Sequence, residues 1–179
     1  FSYTSPVNSQ TMDSGSNLRI HGYPHRIFSY GVQLALVEAD VLTGEMEVCR
    51  LLNCIEAGRV LNPQLYEQQV QGGAAQGLGY ALHEEFTVRE GRICSGDFST
   101  YILPTAMDVP DMETIAIPLQ EEEGPYGMKG IGEIGINGVF PAVANGVAHM
   151  TGVRITQGTM TGEKMLAALT QGKKEASLW

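Results

Sequence analysis

The chain has 179 residues, 43% of them hydrophobic and 17% charged, the composition of one globular domain large enough to bury a core. Eleven Lys and Arg against twenty Asp and Glu leave a formal charge of -9, which excludes a nucleic-acid partner over most of the surface. No apolar run approaches the roughly 20 residues that cross a bilayer, and the N-terminus lacks a secretory pattern, so the expectation is a cytoplasmic chain with no membrane contact.

Residues 1–26 are polar and turn-rich, with Asp13-Ser14-Gly15-Ser16-Asn17 as a loop signal, and read as an extended arm. Phe28 to Asp40 alternates, Thr43-Gly44-Glu45 turns, and Met46 to Leu52 returns, which predicts a β-hairpin. Asn62-Pro63 opens a long helix expected to end near Phe86. Its interior carries Gly72, Gly73, Gly77 and Gly79, each costing up to about 1 kcal/mol relative to Ala, so tight packing or a ligand against the helix must compensate.

Thr87 to Cys94 predicts a second hairpin around Glu90-Gly91, and Thr114 to Pro118 a short strand followed by the acidic turn Glu121-Glu122-Glu123. A glycine-rich loop, Gly124 to Gly138, precedes a helix over Val139 to Met150, a strand over Val153 to Gln157, and a last helix capped by Thr161. Strands and helices mix without regular β-α-β alternation, so the fold class is α+β, as a single domain over residues 1–179.

Cys49, Cys54 and Cys94 form no C-x-x-C pair, and His21, His25, His83 and His149 have no ligand spacing. An iron-sulfur cluster, a zinc ribbon and a metal held directly by protein side chains are therefore not expected. Gly130-Ile131-Gly132-Glu133-Ile134-Gly135 matches G-x-G-x-x-G, but no buried strand precedes it and Ile155 stands about where a ribose-binding acid belongs. Glu133 instead sits on a nearly bare backbone, with Ile131 and Ile134 as apolar neighbours, suited to a general base facing a ligand. The alternative at this point is that Glu133 caps a helix or pairs with Lys129.

The segment GPYGMKGIGE, Gly124 to Glu133, resembles the active-site loop of the molybdenum hydroxylases, the xanthine dehydrogenase and aldehyde oxidase family. Gly58 to Phe86 resembles the family's Asn-Pro turn and glutamine-bearing, glycine-rich helix. The likeness continues through Tyr30 to Glu45, Ser99 to Pro110 and Thr151 to Ile155. It implies a C-terminal molybdopterin-binding domain of mixed strands and helices, part of an enzyme that inserts a water-derived oxygen at a carbon of an N-heterocycle, purine or nicotinate-like, or of an aldehyde.

By the same resemblance Glu133 is the general base, and Gln69, Lys129, Gly130, Ile131 and Gly132 contact the cofactor. That cofactor is molybdenum-molybdopterin, its nucleotide form left open, with the metal held by the pterin dithiolene. Iron-sulfur clusters and FAD are implied on partner domains or chains, beside the remaining molybdopterin-binding chain. Ile134-Gly135 follows the glutamate where many members have Pro, which leaves substrate preference open. A noncatalytic molybdopterin-binding or assembly module is the alternative function.

Overall fold

The computed structural model describes Ser2, residues 26–156 and residues 158–176, the last six of these as backbone. The expected N-terminal arm lies outside the described residues apart from Ser2 and Arg26, whose guanidinium pairs with Glu123 at 2.5 Å on the exposed surface.

Strands β1 (Gly31–Ala39) and β2 (Met46–Glu56) form the predicted antiparallel hairpin, closed by the turn in which Asp40 Oδ1 accepts the amide of Leu42 at 2.7 Å. Helix α1 (Pro63–Leu82) then crosses to the short hairpin β3 (Val88–Arg89) and β4 (Arg92–Ile93), and to β5 (Asp111–Ile117). β5 lies parallel to β2, giving a three-stranded sheet of order β1-β2-β5. A 3-10 turn at Pro125–Gly127, the short helix α2 (Ile134–Asn137), α3 (Val139–Thr151) and α4 (Gly162–Ala176) complete the chain. The class is α+β, as the sequence predicts.

The helices cover one face of the sheet, because strand alternation sends Ala35 and Val37 of β1 and Leu51 of β2 inward to meet Ala74, Leu78, Val139, Val143 and Val147. The opposite face stays open, and Val32, Leu34 and Leu36 are each about 60% exposed. A second apolar cluster of Ile55, Ala57, Tyr66 and Val70 lies at the end of β2, with Ile131 and Ile134 packed on it. It seats the glycine loop.

Several local expectations change: β2 runs on to Glu56 rather than ending at Leu52, β5 spans Asp111–Ile117 rather than Thr114 to Pro118, and α2 forms within the expected loop. Helix α1 ends at Leu82 rather than near Phe86, because the amides of His83 and Glu84 both turn back to the Gly79 carbonyl. Val153 to Thr156 is not a strand, and Gln157 lies outside the described residues. Gly152 ends α3 at φ 74°, Thr151 Oγ1 accepts the Val153 amide, and Arg154 Nη1 reaches back to Asn145 Oδ1 at 2.9 Å. Local side-chain bonds replace a sheet ladder there.

Candidate functional site

The site assembles where the end of β2, the first half of α1 and the glycine loop meet. Asn62 caps α1, its Oδ1 accepting the Leu65 amide at 3.1 Å, and Pro63 occupies the first turn, where its missing donor costs nothing. The cap fixes the helix so that Tyr66 and Val70 point into the second cluster and Gln69 points out. Tyr66 Oη donates to the Ile55 carbonyl at 2.7 Å, which ties α1 to β2.

The loop is stitched to β2 by backbone. Gly58 bridges Met128, the Arg59 amide donates to Gly127 O at 2.7 Å, and the Lys129 amide donates to Ala57 O at 3.0 Å. Gly58 takes φ 67°, and a Cβ there would lie 2.5 Å from Gly127 O, so only glycine allows this approach. On the other side Gln69 Nε2 donates to Gly132 O at 2.7 Å and Gln33 Nε2 to Gly135 O at 2.8 Å.

Glu133, between these two anchors, is exposed and occupies the position before α2 without bonding its amides. Among the described residues its carboxylate has no hydrogen-bond or ion-pair partner. Neither helix capping nor pairing with Lys129 accounts for it. The Lys129 ammonium turns the other way, into the protein, to Glu56 Oε2 at 2.6 Å, Glu121 Oε2 at 3.5 Å and the Phe28 carbonyl at 2.7 Å. It also lies 5.7 Å from the centre of the Tyr30 ring. Burial by itself would lower its pKa, but the hydrogen bond and charge of Glu56, joined by Glu121, outweigh that and hold it above the ordinary lysine value.

The glycines of this region divide by what surrounds them. At Gly73 a Cβ would stand 3.3 Å from the Gly135 backbone, and at Gly77 it would stand 2.8 Å from Val139, so these serve helix packing. At Gly72, Gly130 and Gly132 nothing lies within 4 Å. Gly72 is one turn beyond Gln69 on the same exposed helix face, and Gln69 is bonded to Gly132. Gly72 and Gly132 therefore border a bare surface around Gln69 that internal packing does not explain. Such a surface fits a flat group lying against the backbone.

A cleft of about 480 Å³ opens beside it, lined by Arg59, Leu65, Gln69, Met128, Ile131 and Gly132 among others. Glu133 stands just outside its lining, next to Gly132. A larger cleft of about 690 Å³ elsewhere is lined by Glu38, Asp40, Glu45, Glu47 and Asp108, whose charge would repel an anionic pterin. Among the described residues no group of three or more His, Cys, Asp or Glu could hold a metal ion, and no helix is long and apolar enough to cross a membrane.

Of the predicted residues, Gln69, Lys129, Ile131 and Gly132 line the cleft, Gly130 and Glu133 are their neighbours along the loop, and the Lys129 ammonium is buried on Glu56. Sequence reasoning misses Glu56 and Gln33. Each leaves a trace in the sequence, since alternation puts Gln33 on the inward face of an apolar strand and Glu56 ends the apolar run of β2. A polar residue in an inward register needs a partner.

The profile of the molybdopterin cofactor-binding domain matches residues 5–110. The chain belongs to that family, the molybdopterin-binding region of the molybdenum hydroxylases. It is 37% identical over 145 residues to a probable xanthine dehydrogenase subunit of Bacillus subtilis (strain 168), covering 81% of this chain and 20% of that protein. It is 38% identical over 130 residues to the aldehyde oxidoreductase molybdenum-binding subunit PaoC of Escherichia coli (strain K12), covering 71% of this chain and 18% of that one. The crystal structure of the aldehyde oxidoreductase from Desulfovibrio gigas superposes with TM-score 0.76 at 30% identity, over 83% of this chain and 16% of that chain. The chain thus spans about a fifth of the length of the relatives it matches.

Proposed function

We propose that this chain supplies the base-bearing part of a molybdenum hydroxylase active site, which inserts a water-derived oxygen at a carbon of an N-heterocycle or an aldehyde. The observation that carries it is Glu133, an exposed carboxylate without a structural partner among the described residues, on a loop bonded on both sides. Gln69 and the backbone from Lys129 to Gly132 would hold molybdenum-molybdopterin, with the dithiolene rather than a side chain as metal ligand. When bound, that group supplies the redox and oxygen-transfer chemistry.

The residues of this chain orient and dry the site. Gln69 commits one amide N–H to Gly132 O, leaving its carbonyl oxygen to accept from a ring N–H. Gly72 and Gly130 let the group lie against backbone. Glu133, with no competing donor, takes the proton. Relatives whose names mark them as part of a xanthine dehydrogenase and of an aldehyde oxidoreductase support both substrate classes.

Residues 1–179 form one domain in this reading, residues 1–26 its arm, and the enzyme works in the cytoplasm. The rest of the molybdopterin-binding chain covers the open sheet face and completes the pocket, and iron-sulfur and FAD domains or chains take the electrons. The naming of the relatives as subunits and the span of about a fifth of their length support this.

Elemental analysis for molybdenum, with pterin fluorescence after oxidation, tests the reading on the assembled complex and on the isolated chain. Metal and pterin in the complex but not in the lone chain are expected. An intact complex containing neither would reduce the likeness to fold alone.

A further inference from the structure

The Lys129–Glu56 ion pair is more deeply buried than stability requires. The side chains are 5% and 3% exposed, with Nζ 2.6 Å from Oε2. Desolvating two such charges roughly cancels their attraction, so a pair of this kind adds little net stability over well-packed apolar residues. What it does fix is geometry. Glu56 uses both oxygens, Oε1 accepting the Gly58 amide at 2.7 Å and Oε2 accepting the Lys129 ammonium. Those two bonds hold the strand end and the loop start in one arrangement, beside the Gly58 and Met128 bridge.

Downstream of Lys129 the loop has only Gly130 and Ile131 before the Gly132 carbonyl that Gln69 holds. Nothing lies within 4 Å of where a Gly130 Cβ would stand, and the Gly130 carbonyl accepts one long hydrogen bond from Ser29 Oγ at 3.5 Å. Ile131 packing and the Gln69 bond to Gly132 O hold the downstream side of Gly130, and the Lys129 contacts with Glu56 hold the upstream side.

We propose that Glu56 is a positioning residue for Glu133: through Lys129 it sets the start of the Gly130–Glu133 segment, and hence where the carboxylate stands relative to Gln69 and the bare surface. This rests on the reading of Glu133 as the base.

The test is made in the assembled complex with Glu56→Gln and Glu56→Asp, reading hydrogen exchange of the amides from Gly130 to Glu133, molybdenum content, and turnover of xanthine or benzaldehyde with a dye acceptor. For Glu56→Gln, exchange about tenfold faster in that segment is expected, with molybdenum retained and kcat lowered roughly 10- to 100-fold at little changed KM, the loss a misplacement near 1 Å produces. Unchanged exchange and kcat would overturn the proposal.

Glu56→Asp keeps the charge while shortening the arm, so it remains informative where Glu56→Gln does not fold. Faster exchange in that segment and a several-fold lower kcat, with the charge retained and molybdenum bound, are expected of it. Wild-type exchange and kcat in Glu56→Asp would assign the pair to stability alone and overturn the proposal. The exchange measurement needs no turnover, so it separates this inference from the base assignment, which falls instead if Glu133→Gln retains full activity.

Discussion

Lys129 shows what one residue can reveal and conceal. Its place in the loop was legible from the family resemblance of Gly124 to Glu133, but its partner, Glu56, lies 73 residues away and no local pattern links them. The neighbouring Glu133, four positions on, was the obvious partner by sequence and is not the actual one. Removing the ammonium by Lys129→Met leaves Glu56 buried without its counter-charge, which should cost about 3–5 kcal/mol, measurable by denaturant unfolding of the assembled complex. The pH dependence follows in sign. Because the folded pKa lies above the ordinary value of 10.5, the contribution is complete below that value and fades only as pH rises through the folded one. Between about pH 6 and 9 the wild-type stability assigned to this pair should therefore be flat. A marked loss within that window, absent in Lys129→Met, would contradict the assignment.

At the scale of elements, α1 separates two uses of glycine that its sequence could not tell apart. Gly77 lets Val139 of α3 approach, and Gly72 faces open surface. Gly77→Ala should destabilise by roughly 1–3 kcal/mol, since the added methyl meets a β-carbon that cannot swing aside. Gly72→Ala should stabilise by about 0.5–1 kcal/mol through helix propensity, yet reduce pterin content where the surface takes the cofactor. Thermal unfolding with pterin analysis checks both, and a Gly72→Ala complex with full pterin would remove Gly72 from the cofactor surface. The hairpins, α1 and α3 were legible because their periodicity and turn chemistry agree with the fold. The strand expected over Val153 to Gln157 failed because its alternation carries no information about the Arg154 to Asn145 bond that folds it back.

At the scale of the molecule, the described helices cover only one face of the sheet. Val32, Leu34 and Leu36 form an exposed apolar row on β1, and Ile115 and Ile117 on β5 are also more than 40% exposed. Alternation in the sequence made two faces predictable, but not which of them the described helices would cover. Contiguous apolar surface of this kind marks an interface. If the proposed partner chain covers this face, Leu34→Lys should weaken that assembly while improving the solubility of the isolated 179-residue chain, read by sedimentation of each. Unimpaired assembly would place the interface elsewhere.

The bare surface, the two-sided anchoring of the loop and the carboxylate without a structural partner converge on Glu133. The most direct measurement is turnover and molybdenum content of the assembled complex carrying Glu133→Gln, a near-isosteric change that removes the charge and the ability to take the proton. Full molybdenum with kcat lowered by at least about 10²–10⁴, the usual contribution of a positioned base, is the expected result. Near-normal turnover at full metal content would contradict the role assigned to Glu133 and, with it, the reading of this surface as half of an active site.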